Sequence, residues 1–232
     1  MKFYQAALLA LLTFMIAPAR GQSTGETTPG AQRDFGKADD AQTVIVFGDS
    51  ITAGGALPAN ERDAVWVRVV ERESKGRLRM VNEGKGGRPT DSVKEFEALL
   101  ARQPQAAVLV IALGTNDSRD ITAACVQKAV ANVRAMIARA RQQFGAKLRI
   151  LLAGPPNISK AALVATKPIA NGREAKLREI GDAFAALAKE TGCEFTGLFG
   201  TVPEASMAKD GVHPDAAGNA AIARAMLAKL AP

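Results

Sequence analysis

The chain has a single histidine, one tryptophan, one tyrosine and two cysteines among 232 residues. Each scarcity closes off a class of chemistry. Zinc sites draw on clustered Cys and His, and one imidazole with two distant thiols, Cys125 and Cys193, makes no such cluster. Aromatics are 5% of the residues, too sparse for a base-stacking platform, so the formal charge of +7 does not point to nucleic acid. The basic residues, such as Arg134, Arg139 and Arg141, are spread along helical stretches and suit a solvated surface drawn to acidic polymers or envelopes. There is no phosphate loop of the G-x-x-x-x-G-K-[ST] form, no internal repeat, and no sign of a cofactor or metal. The two cysteines leave two readings open. One is a disulfide outside the cytoplasm. The other is a free core thiol at Cys125, which shares helical spacing with Ile121, Ala129 and Val133.

Long hydrophobic runs are also missing, with one partial exception at the start. Lys2 gives a positive charge, Ala6 to Pro18 is almost wholly apolar, and Ala17-Pro18-Ala19 has the small-x-small form of a cleavage site. That run is shorter than the ~20 residues of a membrane span. Residues 1–20 read as a signal peptide, with an uncleaved anchor as the alternative, and a secreted or periplasmic location follows. Residues 21–41 are rich in Gly, Thr, Ser, Gln and charge, and cannot bury enough apolar area to offset their ordering entropy. They read as a flexible leader. Residues 42–232 remain, a length that fits one domain with a sizeable core.

Within that domain, short apolar runs alternate with amphipathic stretches. Thr43–Phe47, Leu78–Asn82, Ala106–Leu113 and Lys147–Ala153 read as buried strands, with Glu194–Thr196 as a short fifth. Helical patterning covers Glu61–Ser74, Thr90–Ala101, Ile121–Phe144, Gly172–Glu190 and Asp215–Leu230. Strict alternation implies an α/β fold, a parallel sheet of about five strands between helical layers, joined by right-handed crossovers. Reactive loops in such sheets lie beyond the carboxyl ends of the strands. The polar segments after strands one, two and three therefore share one edge, and the turn before the last helix can return to it.

The scarce imidazole now has a place. His213 lies in Asp210-Gly211-Val212-His213-Pro214, where an i, i+3 separation lets the Asp210 carboxylate reach Nδ1–H and leaves Nε2 free. Ser50, in Phe47-Gly48-Asp49-Ser50, offers a matching nucleophile on a strand-to-helix turn. Donors for a developing oxyanion are available in Asn82-Glu83-Gly84-Lys85-Gly86-Gly87-Arg88 and in Gly114-Thr115-Asn116-Asp117. Taken singly, each segment also suits a helix cap or a turn. Taken in order, the segments resemble the sequence blocks of the SGNH hydrolases, the GDSL-type esterases and lipases, over residues 43 to about 218.

That resemblance implies a flavodoxin-like three-layer α/β/α sandwich and a serine ester hydrolase working through an acyl-enzyme. Carried over by position, Ser50 is the nucleophile, His213 the general base and acid, and Asp210 its orienting carboxylate. The oxyanion hole takes the Ser50 N–H, the Gly87 N–H with Gly86 as the neighbouring choice, and the Asn116 side chain. Short acyl esters, O-acetyl groups on carbohydrate among them, are the favoured substrates, because the chain is compact and shows no obvious apolar lid. Gly154–Asn171 is expected to wall the pocket, and its Ile158, Leu163, Val164 and Ile169 leave an aryl or medium acyl chain open. A lysophospholipase or arylesterase, an acyltransferase, and a catalytically silent glycan-binding envelope protein are the alternatives.

Overall fold

A computed structural model describes residues 41–163 and 167–231. The expected signal peptide (1–20) and all but the last residue of the expected leader (21–41) lie outside the described residues. Five strands form one sheet: β1 (Gln42–Gly48), β2 (Leu78–Gly84), β3 (Val108–Ala112), β4 (Arg149–Ala153) and β5 (Glu194–Thr196). Their order is β2-β1-β3-β4-β5, and every pairing is parallel. Among the described residues six α-helices surround them: α1 (Ser50–Ala53), α2 (Trp66–Glu73), α3 (Val93–Arg102), α4 (Ala124–Phe144), α5 (Lys167–Thr191) and α6 (Ala216–Leu230).

The pleat sorts the apolar residues of each strand into two cores. Ile45 and Phe47 of β1, Leu109 and Ile111 of β3, and Ile150 and Leu152 of β4 face α3, α4 and α5. Val44, Val46, Val108, Val110 and Leu151 face α2 and α6 on the other side. With both faces covered there is no polar position to alternate, and so the central strands read as continuous hydrophobic runs. The result is the expected three-layer sandwich. Among the described residues no helix is long and apolar enough to cross a membrane.

The helices differ from the sequence expectation at their N-termini, at Thr90 and Ile121 because polar groups are used elsewhere. Residues 59–64 form a 3₁₀ turn, and α2 begins only at Trp66. The helix expected from Thr90 begins at Val93, since the Thr90 N–H and hydroxyl both donate to Asp117. The helix expected from Ile121 begins at Ala124, after Asp120 has accepted the Thr122 N–H at 2.9 Å. Ile121 therefore leaves the buried stripe and is 49% exposed, while Cys125, Ala129 and Val133 stay in the core. Both cysteines are free thiols. The helix expected from Gly172 begins earlier, at Lys167.

One buried side chain ties the last helix to the second. α2 has no side-chain cap of its own at Val65. Its Trp66 N–H is satisfied instead by Asn219 Oδ1 at 3.0 Å, from a residue of α6 that is 1% exposed. Asn219 Nδ2 donates in turn to the carbonyls of Pro214 and Asp215, at 3.1 and 2.9 Å. Removing this amide leaves the buried Trp66 N–H without its acceptor and the Pro214 carbonyl without this donor, which costs about 1–3 kcal/mol for such groups. Asn219→Ala is accordingly expected to lower stability by about 2 kcal/mol in denaturant unfolding. A change within the error of the midpoint would show that the tie contributes nothing.

Candidate active site

In the order β2-β1-β3, the chain leaves β1 to one side and later crosses to the other. The crevice beyond the carboxyl ends of β1 and β3 is thus a topological switch point, the place where ligands bind in open parallel sheets. Register puts the strand ends level there, with Gly48 opposite both Gly84 and Ala112. The loops that follow meet at one height.

Asp49 follows β1 and caps α1, its Oδ1 accepting the Ile51 N–H at 2.9 Å. The helix-cap reading of Gly48-Asp49-Ser50 therefore holds, with Asp49 as the cap. Ser50 is the first residue of that single turn, and its N–H has no helical acceptor. The Asp49 side chain is fully buried, and that burial pushes its carboxyl up to about 6 against the opposing Ile51 N–H and the nearby Thr115 and His213.

The other end of the chain builds a turn around Asp210. Its Oδ1 accepts the Val212 and His213 N–H groups, at 2.9 and 3.0 Å. The Ala208 N–H donates to the His213 carbonyl at 2.8 Å, and Asp215 caps α6 by accepting the Gly218 N–H at 2.9 Å. This leaves Asp210 Oδ2 for the ring, 2.6 Å from His213 Nδ1. Burial raises the Asp210 carboxyl, but hydrogen bonds from the His213 backbone and ring and from the Val212 N–H outweigh it and hold the group below the ordinary range. An ionised carboxylate only accepts, so Nδ1 carries the hydrogen and Nε2 presents a lone pair. Nε2 lies 2.8 Å from Ser50 Oγ. Residues 163 positions apart are within one hydrogen bond.

Asn116 is 9% exposed and donates one Nδ2 hydrogen to the Arg88 carbonyl at 3.1 Å. Its loop is pinned from three sides. Asp117 Oδ2 accepts the Thr90 N–H at 3.1 Å, and Oδ1 accepts the Thr90 hydroxyl at 2.5 Å. Arg173 of α5 donates from Nε to Ser118 Oγ at 3.0 Å and from Nη2 to the Thr115 carbonyl at 3.1 Å. Burial pushes the Asp117 carboxyl up and lowers the Arg173 guanidinium. In the glycine segment, Gly87 has φ +73, a left-handed conformation that favours glycine. Both Gly86 and Gly87 are exposed, and a Cβ added at either would meet nothing within 4 Å.

Ser50, Asp210, His213, Asn116 and the glycine segment are all brought to this edge. The expected wall, residues 154–171, packs on it in part, the Ser159 N–H donating to the Gly211 carbonyl at 2.7 Å. Ile158 is buried and Ile169 is 51% exposed, whereas Val164 lies outside the described residues. Sequence reasoning assigned no role to Asp49 beyond a cap, to Arg88, or to Gly55, which packs against the His213 ring. An Asp two residues before Ile51 N is a readable cap signal. Nothing local marks the other two. Among the described residues no group of three or more His, Cys, Asp or Glu could hold a metal ion.

Comparison with known proteins gives a consistent result. The GDSL-like Lipase/Acylhydrolase family model matches residues 46–221. A search of curated proteins finds no match. Among solved structures, a carbohydrate acetylesterase family member from Sinorhizobium meliloti superposes with a TM-score of 0.70 at 23% identity, covering 82% of this chain and 97% of its own. A member of the lipolytic protein G-D-S-L family from Veillonella parvula gives 0.67 at 19% identity, over 82% and 98% of the two chains. The aryl esterase of M. smegmatis gives 0.65 at 19% identity, again over 82% and 98%.

Two outcomes follow from this geometry. A Cβ added at Gly55 would lie 2.6 Å from His213 Cδ2 and 2.8 Å from Nε2. Gly55→Ala must therefore displace the ring, and a misplacement near 1 Å can cost about 100-fold in rate. Ester turnover is expected to drop by at least about 10-fold with the melting temperature little changed; full turnover would mean the ring need not stay where it is. The second concerns Asp49. A folded pKa raised from the ordinary 3.8 to about 6 means that the folded state favours the proton. Stability from this group is then greatest at low pH and falls as pH rises from about 4 to about 6, by about 3 kcal/mol at roughly 1.4 kcal/mol per pH unit. Asp49→Asn keeps an acceptor for the Ile51 N–H and lacks that loss. Its stability relative to wild type should climb across that window and plateau above it, read by denaturant unfolding at several pH values. Parallel pH curves would contradict the assignment.

Proposed function

This chain belongs to the GDSL-like lipase/acylhydrolase family and is a carboxylic ester hydrolase, and from that premise we propose that it is an exported serine esterase in which Ser50, His213 and Asp210 form the catalytic triad. The observation that carries this reading is the continuous chain from Asp210 Oδ2 to His213 Nδ1 (2.6 Å) and from Nε2 to Ser50 Oγ (2.8 Å).

The chemistry follows from those contacts. His213 Nε2 takes the Ser50 proton as Oγ attacks the ester carbonyl, and Asp210 stabilises the imidazolium that results. Negative charge develops on the former carbonyl oxygen. The Ser50 N–H, the Gly87 or Gly86 N–H and the second Nδ2 hydrogen of Asn116 are the donors that meet it. Collapse breaks the bond to the alcohol, which leaves with the proton from Nε2. Water, deprotonated by the same nitrogen, then releases the acyl group and restores Ser50.

For the substrate we favour short acyl esters, O-acetyl groups on carbohydrate among them. The likeness to a structure described as a carbohydrate acetylesterase supports this reading. An aryl or medium acyl ester is the second reading. It is favoured by the aryl esterase likeness. Export rests on Lys2, the apolar run to Pro18 and Ala17-Pro18-Ala19.

Ser50→Ala and His213→Ala are each expected to reduce hydrolysis of p-nitrophenyl acetate by at least about 1,000-fold while leaving thermal unfolding nearly unchanged. Wild-type turnover in Ser50→Ala would remove the triad assignment. A panel of acyl chain lengths run beside acetylated polysaccharides separates the two substrate readings. Cell fractionation with N-terminal sequencing of the mature chain tests export, and a cytoplasmic chain starting at Met1 would contradict it.

A further inference from the structure

Arg88 ties the glycine segment to the end of β1 through its side chain and to the loop after β3 through its backbone carbonyl. Its side chain is 7% exposed, inside the protein rather than on it. The guanidinium Nη1 donates to the Gly48 carbonyl at 2.7 Å and also to the Glu83 carbonyl. Nε donates to Glu95 Oε2 at 3.2 Å, and the guanidinium carbon sits 4.0 Å above the Phe47 ring. Glu95 is held from its other oxygen by Lys85 Nζ at 2.6 Å. The backbone of the same residue faces the opposite way in function, since the Arg88 carbonyl accepts the Asn116 Nδ2 hydrogen at 3.1 Å.

These contacts have a geometric consequence. Gly48 lies two residues before Ser50, and Gly86 and Gly87 immediately precede Arg88. A guanidinium is a rigid planar fork, so holding it against two backbone carbonyls, a carboxylate and a ring fixes the glycine segment against the end of β1. A Lys ammonium at the same place is a point charge without that fork. The carbonyl it positions then decides how Asn116 is turned. With one Nδ2 hydrogen on the Arg88 carbonyl, the other is available to an oxyanion. A flipped amide would set two oxygens against each other. We propose that Arg88 is the positioning residue of the oxyanion hole, its buried guanidinium fixing the glycine segment to the nucleophile strand and its own carbonyl fixing the orientation of the Asn116 amide.

The inference rests on the serine-esterase reading, and its test is built to fail separately from it. Removing one oxyanion donor lowers kcat by about 100- to 1,000-fold, and misplacing one should lower it by somewhat less. Arg88→Lys is expected to reduce kcat on p-nitrophenyl acetate by about 10- to 100-fold with KM changed less than about 3-fold, because the interaction is made to the transition state. In an Asn116→Ala background the same substitution should cost much less, since the amide it orients is gone. A folded Arg88→Lys enzyme with kcat within twofold of wild type overturns the proposal, as does a loss that is undiminished in the Asn116→Ala background. Should Arg88→Lys fail to fold, Glu95→Gln decides. This residue is 42% exposed and anchors the guanidinium by its charge, so kcat falls several-fold at unchanged KM if the positioning is real, and an unchanged kcat overturns it. Activity surviving in Ser50→Ala would instead remove the underlying esterase reading.

Discussion

Everything reactive in this molecule depends on the parallel pairing of β1 with β2 on one side and β3 on the other. That pairing ends with Gly48 level with Gly84 and Ala112. Three successive polar loops are thereby delivered to one height at the edge of one sheet, and the turn before α6 is returned beside them. The constraint is hydrophobic in origin. Each central strand is apolar on both faces, so neither side can be left uncovered, and both helical layers are required. A strand slipped by one residue would send Ile45 and Phe47 to the opposite core and move every loop at the edge with them.

Shared height does not by itself give shared geometry. The loops are fixed to one another by polar groups that are mostly buried: Thr90 to Asp117, Arg173 to Ser118 and Thr115, Arg88 to Gly48 and, through its carbonyl, to Asn116. Buried polar groups are costly when unpaired and specific when paired, because each has few geometries that satisfy it. Burial pushes the carboxyls of Asp49 and Asp117 up, the direction that cost takes at this edge. The protein tolerates two disfavoured charges there, and the return is a set of loops with little freedom to shift.

Legibility followed the range of the interaction. The Asp210–His213 turn could be read from the chain because it is closed locally, by two N–H groups within three residues of the accepting carboxylate. The strands could be read because burial on both faces leaves an unbroken apolar run. Helix starts are not legible at Thr90 and Ile121, where a side chain or amide is claimed by a loop rather than by the helix. Gly55 carried no signal, since its reason for being glycine is the ring of a residue far along the chain. Arg88 looked like the end of a glycine turn for the same reason. Its partners lie on β1, α3 and the loop after β3.

By itself, then, the sequence determined the layer architecture, the edge at which chemistry would occur, and which side chains were candidates there. Periodicity and local turn chemistry are enough for those, because they act over a few residues. Tertiary structure alone decided that Nε2 meets Ser50 Oγ across 163 positions, that Asp49 rather than Ser50 caps α1, and that Asn116 is turned by the Arg88 carbonyl. Those outcomes depend on distances between elements that touch only once both cores are packed. No local pattern encodes a contact whose two halves are chosen by different faces of the fold.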